Sequence, residues 1–168
     1  MSIKHTIYFD NHATTPVDPI VFEAMRPYFC EIFGNAMSGQ HSFGWEAKTA
    51  IEKAREQVAS VLGAQARDIV FTSGATESIH LALLGFLELA EPGRHIVTSQ
   101  VEHKCVLEVC AKAKELGHEV TVLPVNRYGQ VEIDTLKNSL QPNTALVSLM
   151  HANNEIGSIN PILEIGDL

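Results

Sequence analysis

Short apolar runs alternate with helical patterns along most of the chain, and this alternation restricts the fold more than any other feature. The apolar runs predict strands at residues 69–72, 95–98, 120–125 and 145–150. Helical periodicity fills the intervals, at residues 76–90, 104–116 and 134–140. Strands that are separated by helices form right-handed crossovers within a parallel sheet. The sequence therefore predicts an α/β fold, with a mixed, mostly parallel sheet and helices on both faces.

Two further helical patterns precede the first predicted strand. One begins at Asp18, a good N-cap followed by Pro19, and is expected to end at Gly34. The other has an apolar stripe from Ala47 to Leu62 and a C-terminal cap at Gly63. The polar loop between them, residues 34–44, is too long for a simple turn, which favours a role in a site. A last helical pattern begins at Pro161.

Composition excludes several classes of partner and of site. With 12 basic and 20 acidic residues, the net charge of −8 disfavours nucleic acid. The longest apolar stretch, residues 81–87, is too short to span a bilayer, and residues 1–10 lack a hydrophobic signal region, so no membrane association is expected. The three cysteines have no CxxC spacing and the histidines no metal-binding spacing, which predicts a cytoplasmic protein without a metal site.

Three polar clusters follow predicted strands, at the sheet edge where ligands of α/β proteins bind. The first is TSGATES, residues 72–78, whose small residues and helix start suit a phosphate. A capping box at a helix start explains the same residues equally well. The choice between these two interpretations stays open at this point.

The second and third clusters offer directional polar groups. His103 follows Glu102 and is able to act as an acid–base group, to stack on a flat ligand, or simply to cap a helix. Lys104 is expected to be solvated, and Cys105 and Cys110 to be packing residues. Two adjacent amides, Asn153 and Asn154, suit a ligand or a turn built from Asn side chains.

Each cluster is weakly diagnostic alone, but their joint occurrence in this order identifies a resemblance. The motifs are YFDNHATTP, GNAMSGQHSFGWEA, IVFTSGATES, TSQVEHKCVLE and SLMHANNEIG. Together they closely resemble cysteine desulfurases of the NifS/IscS type, over essentially the whole chain. Members of that family use pyridoxal 5'-phosphate (PLP) to convert L-cysteine to L-alanine. They keep the sulfur as an enzyme-bound persulfide for iron–sulfur cluster assembly.

The resemblance implies roles for four residues. Ala75 and Thr76 would contact the PLP phosphate, His103 would stack on the pyridine ring and help to move protons, and Asn154 would hydrogen-bond the phenolic oxygen. The implied fold is the large domain of the PLP-dependent transferase fold type I. Residues 18–168 would form its N-terminal part, and residues 1–17 would contribute to a small domain. A homodimer and an iron–sulfur scaffold protein are the implied partners.

The same resemblance places other functional groups in sequence beyond position 168. These are the aspartate on the pyridine nitrogen, the lysine that binds PLP covalently, the arginine for the substrate carboxylate and the nucleophilic cysteine. The 168-residue chain alone is therefore expected to be inactive and to need the C-terminal part of the same enzyme. The alternatives are a selenocysteine lyase or C–S lyase of the same class, or a non-catalytic scaffold or anion-binding subunit.

Overall fold

The computed structural model describes residues 7–168 and divides into two compact units, residues 7–71 and Thr72–Leu168. The first unit is helical, with α1 at Pro19–Met25, α2 at Pro27–Cys30 and α3 at Ser42–Leu62. A single 3-10 turn follows at Ala66–Asp68. The expectation that residues 1–17 belong to a small domain stays a prediction, and its first six residues lie outside the described part.

A proline interrupts the first predicted helix. The sequence predicts one helix up to Gly34, but α1 ends at Met25 and α2 begins at Pro27. Proline has no backbone N–H and its ring clashes with the preceding turn, so Pro27 starts a new helix more readily than it continues an old one. The N-cap prediction is confirmed, because Asp18 accepts a hydrogen bond of 2.8 Å from the Ile20 amide.

The loop between α2 and α3 is held by close backbone contacts. His41 caps α3 by accepting a hydrogen bond of 3.3 Å from the Gly44 amide. A Cβ atom on Gly34 would lie 2.1 Å from the Phe43 carbonyl oxygen, and one on Gly44 would lie 1.9 Å from that of Ser38. Both positions therefore require glycine. Any role of this loop in a site stays a prediction.

The second unit is an α/β layer structure whose sheet has three parallel strands in the order β2-β1-β3. Among residues 7–168, no helix combines the length and the apolar character that crossing a membrane requires. The elements of this unit are α4 at Ala75–Leu89, β1 at His95–Ser99, α5 at Lys104–Glu115, β2 at Glu119–Leu123, α6 at Ile133–Ser139, β3 at Thr144–Val147 and α7 at Ile162–Gly166.

Residues 69–72, predicted as a strand, form no strand within residues 7–168. Ile69 has extended backbone angles, φ −90° and ψ 124°, but none of these residues pairs with a strand elsewhere in residues 7–168. Val70 and Phe71 are exposed. A strand is defined by its backbone hydrogen bonds to a neighbouring strand. An apolar run in the sequence does not specify that neighbour.

Helices cover both faces of the sheet, as the sequence predicts. Ile96 of β1 points into a cluster with residues of α4 and α5, including Leu87 and Val109. The next residue, Val97, points to the opposite face and packs with Leu136 of α6. This alternation follows from the two-residue repeat of a strand. All five residues of β1 are buried, as expected for a central strand of a parallel sheet.

A histidine links the three strands at the start of β1. The His95 side chain is fully buried. Its Nδ1 atom lies 2.7 Å from the Thr144 hydroxyl of β3, and its Nε2 atom lies 2.8 Å from the Thr121 hydroxyl of β2. Both ring nitrogens are thus hydrogen-bonded, which is the condition for burying an imidazole at small cost.

We predict that His95→Leu destabilises the protein by about 1–3 kcal/mol, because both hydroxyls lose a buried partner. The free energy of unfolding in urea is the measurement. His151→Leu is the matched control, since that side chain is exposed, and it should change stability by less than about 0.5 kcal/mol. Equal stability of the two variants would show that the cross-strand bonds contribute nothing.

Candidate active site

A cleft of about 280 Å³ lies beyond the carboxyl ends of β1 and β3. Residues between 100 and 104, which follow β1, form one wall, and residues between 150 and 156, which follow β3, form the other. Both His103 and Asn154 line it. The volume is near the lower end of the range for small-molecule sites, roughly 300–1,000 Å³. The parallel pairing of β1 and β3 therefore brings two of the three predicted clusters together.

A buried carboxylate joins the two walls of the cleft. Glu102 is 8% exposed, and its Oε1 atom accepts a hydrogen bond of 2.7 Å from the Met150 amide. The Ser99 hydroxyl donates to the same oxygen at 3.3 Å. Burial raises the pKa of Glu102 above its usual range, while the two hydrogen bonds oppose that change. Glu102 holds the end of β1 to the segment after β3.

A β-bridge and one buried side-chain amide fix the segment after β3 as a hairpin. Ala152 and Ile159 form an antiparallel bridge at its base. Asn160 is 4% exposed, donates to the Met150 carbonyl at 2.8 Å and accepts from the Val131 amide at 2.9 Å. Buried side-chain amides with both ends hydrogen-bonded rigidify the backbone around them. The tip of the hairpin thus has a fixed position in the cleft.

The two adjacent asparagines have different roles. The Asn153 side chain donates to the Val101 carbonyl at 2.8 Å and accepts from the amides of Glu155 and Ile156, at 2.8 and 3.0 Å. The Asn154 side chain is exposed and has no hydrogen-bond partner among residues 7–168. Asn153 therefore builds the turn, and the Asn154 amide remains unengaged among the described residues. The turn interpretation is confirmed for Asn153, and the ligand interpretation stays a prediction for Asn154.

One expected role of His103, the cap of α5, is confirmed. Its Nδ1 atom caps α5 by accepting from the Cys105 amide at 3.3 Å. The side chain remains exposed at the cleft, where a flat ligand is able to stack on it. Lys104 is 84% exposed and pairs with Glu108 at 3.4 Å, which confirms the expected solvated lysine. Cys105 and Cys110 are each 5% exposed and pack in the core, as expected.

The start of α4 carries the first cluster but does not line this cleft. Glu77 reaches back to Ser73, accepting from its amide at 2.6 Å and its hydroxyl at 2.7 Å, and these bonds lower the Glu77 pKa. Because Ser73 precedes the N-cap Gly74, these bonds do not form a capping box, in which the glutamate accepts from the N-cap amide. The N-cap residue of α4 is Gly74, which has no side chain to cap the helix. The amides of Ala75 and Thr76 have no partner within the described part of the chain. Those two amides are free to bind an anion.

A turn after β2, at residues 126–130, packs against the hairpin. The Asn126 side chain accepts from the amides of Tyr128 and Gln130, at 2.9 and 3.1 Å. Gly129 has a positive φ of 76°, and a Cβ atom there would lie 2.4 Å from the Cδ1 atom of Ile156. Gln130 donates to the Ile159 carbonyl at 2.9 Å. The turn is therefore packed directly against the hairpin.

Sequence reasoning missed the residues that hold the site together. In the sequence, Glu102 stands out only as a neighbour of His103, and the role of Asn160 is not apparent. The partners of both lie far away in sequence, since 48 residues separate Glu102 from Met150. The one available signal is local: Asn160 stands directly before Pro161, a setting in which Asn side chains often bond to backbone.

We predict that Glu102→Gln alters the pH dependence of stability. Because the pKa of Glu102 is raised in the folded protein, the folded state binds more protons than the unfolded state above its usual value of 4.5. The contribution of the Glu102 side chain to the free energy of unfolding therefore falls as the pH rises from 4.5 through the raised pKa. Gln does not titrate and keeps an oxygen acceptor. The stability of Glu102→Gln relative to the parent should increase from pH 4.5 to pH 7.5 in urea unfolding.

The control for this prediction is Glu102→Ala, which removes the acceptor. That variant leaves the Met150 amide without its partner and should lose about 1–3 kcal/mol at every pH tested. A constant difference between Glu102→Gln and the parent across the pH range would contradict the raised pKa.

We predict that Asn153→Ala loosens the hairpin and that Asn154→Ala does not. Loss of the Asn153 hydrogen bonds to Glu155 and Ile156 should speed hydrogen exchange at those two amides by about 10-fold, as expected for roughly 1.4 kcal/mol. The adjacent substitution is a matched control, because it deletes the same amide group one residue later. Faster exchange in both variants would show that the two asparagines share the structural role.

Residues 7–168 match the family model described as aminotransferase class-V. Cysteine desulfurase IscS of Anaeromyxobacter sp. (strain K) is 52% identical over 165 residues, which are 98% of this chain and 41% of the relative. The mitosomal cysteine desulfurase of Trachipleistophora hominis is 50% identical over 165 residues, 96% of this chain and 37% of the relative.

The solved structures lead to the same group of proteins. A structure described as a NifS-like protein superposes with a TM-score of 0.91 at 42% identity, over 96% of this chain and 44% of that one. This likeness confirms the expected fold class. The chain spans about 40% of the length of the curated relatives that it matches.

Proposed function

This chain belongs to the class-V aminotransferase family, and from that membership we propose that it is the N-terminal part of a PLP-dependent cysteine desulfurase. The proposed reaction converts L-cysteine to L-alanine and leaves the sulfur as an enzyme-bound persulfide. The observation that carries the proposal is the meeting of the His103 ring and the free Asn154 amide in one cleft at the carboxyl edge of the sheet. Identities near 50% to named desulfurases support it.

The described residues fit the chemical groups of PLP. The cofactor presents an anionic phosphate, a flat ring and a phenolic oxygen. The chain offers two unpartnered amides at the start of the 15-residue helix α4, an exposed imidazole and an exposed side-chain amide. Helix N-termini attract anions through their free N–H groups and their dipole. The donor set therefore matches the cofactor group by group.

In this proposal each residue has one task. The amides of Ala75 and Thr76 bind the phosphate, together with the Thr76 hydroxyl. The His103 ring covers one face of the pyridine and accepts or delivers a proton through Nε2. The Asn154 amide donates to the phenolic oxygen. Glu102, Asn153 and Asn160 keep the last two groups in place by holding the walls of the cleft.

PLP, when bound, would supply the electron sink that amino-acid chemistry at the α-carbon requires. The remaining groups are those that the resemblance assigns to sequence beyond position 168, among them the covalent lysine and the nucleophilic cysteine. A polypeptide of these 168 residues alone should therefore release no sulfide from cysteine. Sulfide release, measured with and without an added polypeptide that carries the C-terminal part, checks this expectation.

We predict that Ala75→Pro weakens PLP binding by about 5-fold to 20-fold. Proline is favoured at the first position of a helix, so α4 should persist while one phosphate-binding N–H is lost. Loss of a hydrogen bond to a charged group is worth about 1–2 kcal/mol. Ala75→Ser keeps the N–H and is the control. Binding is measured by equilibrium titration with PLP, and circular dichroism reports the helix.

The same titration tests the proposed phosphate site against other positions. If Ala75→Pro and Ala75→Ser bind PLP equally well, the phosphate lies elsewhere and the assignment of Ala75 and Thr76 is wrong. If Asn154→Ala also binds like the parent, the cleft does not hold the cofactor and the proposed function loses its main support.

The proposed setting of the enzyme is the cytoplasm, as a homodimer that contains the C-terminal part and delivers sulfur to an iron–sulfur scaffold protein. The three cysteines are free, with Cys30 exposed, which suits a reducing compartment. A mitosomal relative shows that members of this group also work inside organelles. Cell fractionation and size-exclusion chromatography test the location and the oligomeric state.

A further inference from the structure

Two hydrogen-bond donors of Cys105 converge on one nitrogen of His103. The Cys105 backbone amide lies 3.3 Å from Nδ1, and the Cys105 Sγ atom lies 2.9 Å from the same Nδ1. The thiol is free and only 5% exposed. It is therefore fixed inside the structure beside a ring that faces the cleft.

The amide contact indicates where the imidazole carries its proton. A backbone N–H is only able to donate, so Nδ1 must be an acceptor in this geometry. A neutral ring that accepts at Nδ1 carries its proton on Nε2. The thiol shares Nδ1 with the amide and must also donate, through its S–H. Both contacts are thus compatible with a single tautomer, the one protonated at Nε2.

The amide contact alone is long for a hydrogen bond, because N–H···N and N–H···O bonds are usually near 3.0 Å. The thiol adds a second and shorter contact to the same atom. A ring held from one side at Nδ1 has its orientation and its tautomer fixed together, as happens when a partner group holds one nitrogen of a catalytic histidine.

We propose that Cys105 is a positioning residue, whose thiol holds His103 in the Nε2–H tautomer and presents that N–H to the cleft. The inference rests on the proposed function only in one respect, which is the role of His103 in stacking on PLP and moving a proton. Cys105 itself touches neither the cofactor nor the substrate in this proposal. It acts through the ring that it orients.

Nuclear magnetic resonance of the imidazole nitrogens tests the proposal without PLP. In the full chain labelled with ¹⁵N-histidine, the His103 signals are assigned by their loss in His103→Asn. The parent should show Nδ1 in the range of an unprotonated nitrogen and Nε2 in that of a protonated one. In Cys105→Ala the two resonances should move toward each other, because the tautomers begin to mix.

Two variants separate this role from simple packing. Cys105→Ser keeps a donor and should restore the parent spectrum. Cys110→Ala removes a thiol of equal burial from the same helix, about two turns beyond His103, and should leave the His103 signals unchanged. A parent ring protonated at Nδ1, or Cys105→Ala resonances identical to the parent's, would overturn the proposal.

PLP titration then distinguishes failure of this inference from failure of the proposed function. Cys105→Ala should bind PLP about 5-fold more weakly than the parent, and Cys105→Ser should bind like the parent. If the parent binds no PLP while the tautomer results hold, the proposed function fails and the role of Cys105 stands. If the parent binds PLP and Cys105→Ala shows the parent's tautomer, the inferred role of Cys105 fails and the proposed function stands.

Discussion

The parallel pairing of β1 with both of its neighbours is the constraint on which the rest of the second unit depends. Parallel strands end at the same edge, so the segments after β1 and β3 must meet. His95 secures this pairing at the opposite end, where its ring bonds to a threonine on each side. The arrangement leaves the apolar residues of β1 to bind helices on both faces and the polar residues beyond it to form a cleft.

Within the cleft, the residues that build the structure and those that are available to a ligand are different residues. Glu102, Asn153 and Asn160 have their polar atoms engaged with backbone groups. His103 caps α5 through Nδ1, while its exposed side chain lines the cleft. Asn154 is left with a free amide. Preorganisation of this kind lowers the entropy that binding must overcome, because the donors are already in position.

The sequence predicts most of the elements, because apolar periodicity is a local property. Helices α3, α4, α5 and α6 lie within a few residues of their predicted positions, apart from the start of α3. Apolar periodicity is not enough to predict whether residues 69–72 form a strand, because a strand also needs a neighbouring strand to pair with. The division of roles between Asn153 and Asn154 could not be predicted either. Both residues have the same chemistry, and only contacts with Val101 and the hairpin backbone distinguish them.

The contact between the turn at Gly129 and the hairpin has a consequence for the dynamics of the cleft. The hairpin cannot separate from the protein without also breaking the bond between Gln130 and the Ile159 carbonyl and that between Asn160 and the Val131 amide. The two segments therefore open as one cooperative unit, in the sense in which proteins unfold locally in blocks. The hairpin lines the cleft and the turn does not, but the stability of both sets the lifetime of the closed cleft.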